Sequence, residues 1–204
     1  MAKMISHPVI VGLDEAGRGP LAGPVCAGAC VLQKDMDPAL MRDSKALTPE
    51  EREKAFEWIE AHCIYGFGFC DAKTIDSIGI LDSTERAMHQ ALAMIEEHIK
   101  PTYLLIDGRD RFWFNYPNSK VIRGDSSEVC IAAASIVAKV LRDRFMIEAS
   151  EQFHQYGFSQ HKGYGTEEHM AAIEKYGLCV LHRKTFVKNL EPACAEKNTV
   201  RSGG

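Results

Sequence analysis

The sequence predicts an α/β fold built on a mixed sheet, from three observations. Residues 9–13 and 103–106 are short apolar runs, each followed at once by a carboxylate, Asp14 or Asp107. Such runs read as buried strands. The second run follows residues 81–99, where Leu81, Met88, Leu92, Ile95 and Ile99 recur at helical spacing and Pro101 ends the pattern. A helix leading into a buried strand is a parallel crossover. The glycine-rich turn after Asp14-Glu15 instead returns the chain into a second apolar stretch, residues 21–33, which reads as an antiparallel partner. Parallel strands deliver their carboxyl ends to one edge of a sheet, so Asp14 and Asp107 are expected to converge.

The elements follow in order. After a polar loop, Thr48-Pro49-Glu50-Glu51 is a helix start: Thr48 as N-cap, Pro49 at the first helical position and Glu51 closing a capping box. That helix runs to about His62 with Phe56 and Ile59 inward. Residues 63–71, with Ile64, Phe67 and Phe69 among glycines, form a third strand, and residues 73–80 a short helical segment. Val121-Ile122-Arg123-Gly124-Asp125 reads as a further apolar run ending in an acid, with Ser126 and Ser127 able to cap the alanine-rich helix beyond. The small residues of that helix, Ala132, Ala133 and Ala134 among them, let it lie close to the sheet. Tyr156-Gly157-Phe158 breaks it, and Thr166 caps a last helix to Tyr176.

The size of the chain, 204 residues with 46% hydrophobic content, suits one domain or a domain with a small appendage. No run approaches a membrane span and the first eight residues carry no long apolar core, which points to a cytoplasmic protein with no membrane partner. Seven cysteines without a Cys-x-x-Cys pair argue against a disulfide framework or a zinc ribbon and for buried thiols. A net charge of −4 leaves nucleic-acid binding to local patches.

Asp14 and Glu15 at a sheet rim are two negative charges that need a cation, most simply a divalent metal. Neighbouring strand residues point to opposite faces, so both side chains enter one site only if the strand twists or ends between them. Gly17 and Gly19 let backbone N–H groups approach a phosphate or sugar, with Arg18 as a fixed charge beside them. A dinucleotide loop fits poorly: the third glycine is missing and Pro20 stands where a helix should open. Arg109, Arg111, Phe112, Trp113, Phe114 and Tyr116 form a loop that either contacts nucleic acid or seals a hydrophobic edge. Asp125 and Asp143 compete as a further acid, and the arginines beside Asp143 suggest an ion pair there.

The segment Asp14-Glu15-Ala16-Gly17-Arg18-Gly19-Pro20-Leu21-Ala22-Gly23 resembles the signature of ribonuclease HII, the type 2 ribonuclease H. Asp43-Ser44-Lys45, Ile106-Asp107-Gly108, Gly124-Asp125 with the helix through Arg142-Asp143, Lys162-Gly163-Tyr164 and His182-Arg183 match the same family in order, over roughly residues 9–190. Cys130 departs from it mildly, standing where a small polar residue, often serine, is expected. The resemblance implies a ribonuclease H-like fold, a mixed five-stranded sheet flanked by helices whose first three strands form an antiparallel meander. It implies a catalytic core over residues 8–150 and a C-terminal helical extension over 151–191, before a polar tail at 192–204. It implies an endoribonuclease that cuts the RNA strand of RNA–DNA hybrids, and single ribonucleotides embedded in duplex DNA, leaving 5′-phosphate and 3′-hydroxyl ends. Asp14, Glu15, Asp107 and Asp125 would hold two divalent ions, Mn2+ or Mg2+. Gly17, Arg18 and Gly19 would read the ribose, Lys45 would lie near the phosphates and Tyr164 would stack on a sugar. The expected partners are nucleic acids, and the expected state is a monomer active in replication and ribonucleotide excision repair. The alternatives are another metal-dependent nuclease or resolvase of the same fold, or a non-catalytic nucleic-acid-binding protein.

Overall fold

The computed structural model describes residues 8–34, 36–37, 40–41 and 47–187; Lys45, Cys194 and the tail at 192–204 lie outside the described residues. Five strands, β1 (Ile10–Ala16), β2 (Val25–Val31), β3 (Tyr65–Cys70), β4 (Tyr103–Asp107) and β5 (Asn118–Val121), form one sheet in the order β3-β2-β1-β4-β5. The pairs β1–β2 and β2–β3 are antiparallel, while β1–β4 and β4–β5 are parallel. This is the mixed sheet, opening with a meander, that the family resemblance implies.

Helices cover both faces. Helix α1 (Pro49–His62) starts on the full capping box of Thr48 and Glu51 and buries Phe56 and Ile59. After α2 (Ala72–Ile78), helix α3 (Ile80–Glu96) lays Met88, Leu92 and Ile95 against Val11, Leu13, Ala27 and Ala29 of the sheet. The opposite face takes the long α5 (Val129–Gln152), which follows the short α4 (Gly124–Ser127). Gly12 and Gly28 permit that close approach: a Cβ on Gly12 would stand 2.3 Å from the Cys130 backbone, and one on Gly28 2.2 Å from the Ala134 carbonyl. Phe56, Ile59, Ala133, Ile136 and Val137 share the core between α1 and α5.

Beyond α5 come a 3-10 turn (His154–Tyr156), α6 (Phe158–His161) and α7 (Glu167–Tyr176), with Gly157 left-handed at the break and Thr166 capping α7 as expected. This part has a small core of its own, with Tyr156 and Phe158 packed on Ala22 and Met146. It is stitched to the β1–β2 connection by backbone hydrogen bonds from Leu21 N to Gly163 O, Gly23 N to Leu181 O and Arg183 N to Leu21 O, each 2.8 Å.

Several sequence expectations are corrected. β1 continues through both acids to Ala16, because β2 still pairs Asp14 with Gly28 and Glu15 with Ala27. Leu81 is 45% exposed and Ile99 lies past the end of α3, while Ser83, Thr84, Ala87 and Ala91 join Met88, Leu92 and Ile95 on its buried face. Asp125 does not end a strand: β5 stops at Val121, and a left-handed Arg123 turns the chain into α4, which carries Asp125. Ser126 and Ser127 belong to α4 and do not cap α5. Cys26, Cys30, Cys70 and Cys130 are buried free thiols, whereas Cys63 and Cys179 are half-buried. No helix among the described residues is long and apolar enough to cross a membrane.

Candidate active site

The parallel register of β1 and β4 runs from Ile10 beside Tyr103 to Leu13 beside Ile106. Its next step sets Asp14 beside Asp107. Strand alternation places Asp14 on the α5 face with Gly12, where Ser135 hydrogen-bonds it, while Glu15, at the end of the strand, turns to Arg18. Asp107 in turn organises the third acid. Its Oδ1 accepts the Gly124 N–H at 2.7 Å, at the start of α4, and Asp125 is the next residue. Carboxylate oxygens of Asp14, Asp107 and Asp125 all lie within 4.8 Å of one another.

Asp14 and Asp125 are buried. Burial, then the neighbouring Glu15, then Asp107, push the Asp14 carboxyl well above the usual carboxylate range, against hydrogen bonds from the Glu15 N–H and Ser135. Burial also raises Glu15, opposed by Arg18. Three carboxylates converging in a desolvated corner repel one another, and a hard divalent cation would relieve both the repulsion and the desolvation. The donor set therefore fits such an ion: all oxygen, with no thiol or imidazole in the cluster. Asp143 stands apart from it, two helical turns beyond Ser135, and is ion-paired to Lys139 at 2.8 Å.

Glu15 is outside the cluster of three. It holds Arg18 (3.1 Å), whose guanidinium also reaches Asp110 at 2.7 Å. Asp110 ties the start of the aromatic loop to the Gly17-Arg18-Gly19 turn, a link that carried no signal in the sequence because the pair is 92 residues apart. In that loop Phe112, Phe114 and Tyr116 pack on the core while Trp113 is 81% exposed. The residues alternate, so the sealing face and the outward face belong to one extended segment.

Tyr164 is 47% exposed and its ring edge comes within 3.9 Å of where a Cβ on Gly19 would stand. It shares a cleft of about 130 Å³ with Glu15, Gly17, Ser135, Lys139 and Arg142. Behind it lies a histidine relay. The Tyr164 carbonyl accepts from His169 Nδ1 at 2.8 Å, His169 Nε2 meets His182 Nε2 at 3.1 Å, and His182 Nδ1 accepts the Cys179 N–H at 2.9 Å. That pattern is satisfied with both rings neutral. Burial, then His169, lower His182 to about 4. Neither these histidines nor Arg142 and Arg183 have a role legible from the sequence; buried polar residues do not stand out in a linear pattern, and only the Arg142-Asp143 and His182-Arg183 family matches pointed toward them.

Known proteins match this chain over most of its length. The profile of the family described as ribonuclease HII matches residues 11–189. The chain is 49% identical over 181 residues to the ribonuclease HII of Geotalea uraniireducens, covering 88% of this chain and 83% of that protein. It is 45% identical over 198 residues to the ribonuclease HII of Geotalea daltonii, covering 94% and 91%. Among solved structures it superposes on the ribonuclease H2 of Pyrococcus horikoshii OT3 with a TM-score of 0.71 at 25% identity, covering 89% of this chain and 96% of that one. A sheet-edge acid cluster, a Gly-Arg-Gly turn and a half-exposed tyrosine thus sit on a chain that belongs to the ribonuclease HII family and is a metal-dependent ribonuclease H.

Proposed function

We propose that this enzyme hydrolyses the RNA strand of RNA–DNA hybrids and also cuts at single ribonucleotides embedded in duplex DNA, leaving 5′-phosphate and 3′-hydroxyl ends. The observation that carries it is the shared cleft: Tyr164, from the C-terminal extension, faces the same opening as Glu15 and Gly17, beside the acid cluster. A nucleic acid lying there would meet acids, a sugar-reading backbone and an aromatic face together.

Asp14, Asp107 and Asp125 would hold two divalent ions, Mn2+ or Mg2+, with Glu15 contributing from the edge of the cluster. Bound ions of this kind activate water and stabilise the departing 3′-oxygen. The protein residues do the rest. Asp107 fixes α4, and so fixes Asp125, through the Gly124 N–H. Glu15 and Asp110 hold Arg18 at the cleft rim. Backbone N–H groups of the Gly17-Arg18-Gly19 turn recognise the 2′-hydroxyl that distinguishes RNA from DNA. Tyr164 offers a flat face to a neighbouring sugar. Lys45 would approach the phosphates. In this reading the enzyme is a monomer that works in the cytoplasm in replication and repair.

The test is a duplex DNA carrying one ribonucleotide, incubated with manganese, with magnesium and with EDTA. Metal-dependent cleavage at the ribonucleotide, with the expected end groups, supports the proposal. Cleavage of continuous hybrids alone would restrict the enzyme to RNA–DNA substrates.

A further inference from the structure

Two guanidinium groups, Arg142 and Arg183, are 1% and 0% exposed, and among the described residues neither has a carboxylate partner within salt-bridge distance. Their hydrogen bonds go to main-chain carbonyls. Arg142 donates to Pro24 (3.0 Å), Ala22 (3.2 Å) and Lys162 (3.0 Å). Arg183 donates from Nε to Gly23 (2.9 Å), from Nη1 to Arg18 (3.0 Å) and from Nη2 to Gly17 (2.6 Å). Burial and the charge of Arg142 pull Arg183 down to about 9, so it remains a cation at neutral pH.

The direction of these bonds matters. In a trans peptide the C=O of one residue and the N–H of the next point opposite ways, and none of the described peptide bonds is cis. With the Gly17 and Arg18 carbonyls both aimed at Arg183, the N–H groups of Arg18 and Gly19 both face away from it. Among the described residues neither N–H finds an intramolecular hydrogen-bond acceptor. Gly17 sits at φ +91°, and a Cβ there would lie 2.0 Å from Arg142 Nε, so the turn is pressed onto the buried cations.

We propose that Arg183 is a positioning residue for ribose recognition: its planar fork draws two successive carbonyls of the Gly17-Arg18-Gly19 turn inward and so presents the Arg18 and Gly19 N–H groups to the 2′-hydroxyl. This rests on the proposal that the turn reads the ribose. A lysine keeps the charge but cannot hold the same carbonyls in one plane. The Arg183 guanidinium carbon lies over the Phe186 ring, 5.1 Å from its centroid, so that ring is the fork's aromatic neighbour.

The experiment compares wild type with Arg183→Lys, Arg183→Gln and the milder Phe186→Leu. Binding to a duplex carrying one ribonucleotide and to its all-DNA counterpart is measured by fluorescence anisotropy in EDTA. Manganese titration, melting temperature and KM against kcat follow. The expected result is a loss of the ribonucleotide preference of about tenfold in Arg183→Gln, seen in binding and in KM, with manganese affinity unchanged and only partial rescue by lysine. A purely structural role predicts lower melting temperature with both duplexes weakened equally, and that outcome in the folded variants overturns the proposal. Should neither Arg183 variant fold, Phe186→Leu decides it by the same ratio. In wild type, the Arg18 and Gly19 amide resonances are expected to shift with the ribonucleotide duplex and not with the all-DNA one. If wild type itself binds both duplexes equally, ribose reading by the backbone is what fails, and Arg183's part in it falls too.

Discussion

Asp14 and Asp107 stand one register step beyond Leu13 and Ile106, the last paired positions of β1 and β4. The parallel ladder opens where the acids begin, while β1 stays pinned to β2 on its other side. The carboxylates are thus held at the edge of a rigid sheet.

Asp14→Asn and Asp107→Asn are each expected to reduce kcat by at least about a thousandfold, because each removes a charge from the acid cluster proposed to hold the metal ions, an effect of roughly several kcal/mol on the transition state. The fold should persist, as asparagine keeps the volume. Turnover near the wild-type rate in either purified variant would contradict the assignment.

Manganese or magnesium should raise the melting temperature of metal-free protein. Burial and like charge destabilise ionised Asp14 at neutral pH, and an ion bound only to the native state stabilises it by linkage. At saturating metal the gain should be several degrees in wild type and much smaller in Asp14→Asn, measured by calorimetry in matched buffers. Equal gains in the two proteins would place the stabilising ion elsewhere.

Tyr164→Ala should slow cleavage at a single ribonucleotide by about tenfold to a hundredfold, the scale of a lost stacking contact of ~1–3 kcal/mol. Because Tyr164 is 47% exposed, melting temperature and manganese affinity should change little. A core role would instead show as lost stability.

Acid should loosen the C-terminal part. His182 is lowered to about 4 in the folded protein by burial and by His169, with His161 also adding repulsion; an unfolded histidine titrates near 6.5. Between these values the unfolded chain binds more protons than the native one, so stability is present above about pH 6.5 and is lost as pH falls toward 4. The melting temperature should drop by several degrees across that window, and His182→Gln should flatten the dependence. A pH-independent melting temperature between 7 and 5 would exclude the neutral relay.

Gly28→Ala should destabilise the protein by about 1–3 kcal/mol, the usual cost of overpacking a close-packed core. Its Cβ would meet the Ala134 carbonyl at 2.2 Å, and that atom belongs to the α5 backbone, which cannot move alone. Urea unfolding followed by circular dichroism measures it.

The sequence by itself determined the elements whose signals are local. The capping box at Thr48, the buried run ending at Asp107 and the crossover helix before it were legible from residue spacing, and with them the convergence of Asp14 and Asp107. Strand alternation likewise separated Asp14 from Glu15. What only the tertiary structure decided depends on contacts between distant segments. Asp125 reaches the cluster because the Asp107 side chain anchors α4, and no strand pattern at residues 121–125 could reveal that. Leu81 fits the apolar spacing of α3 yet faces solvent, since the stripe width is set by what the helix packs against. The Arg18–Asp110 pair and the carbonyl-bound Arg142 and Arg183 were invisible for the same reason: a guanidinium that donates to backbone carbonyls needs no complementary side chain, so its partners leave no mark in the sequence.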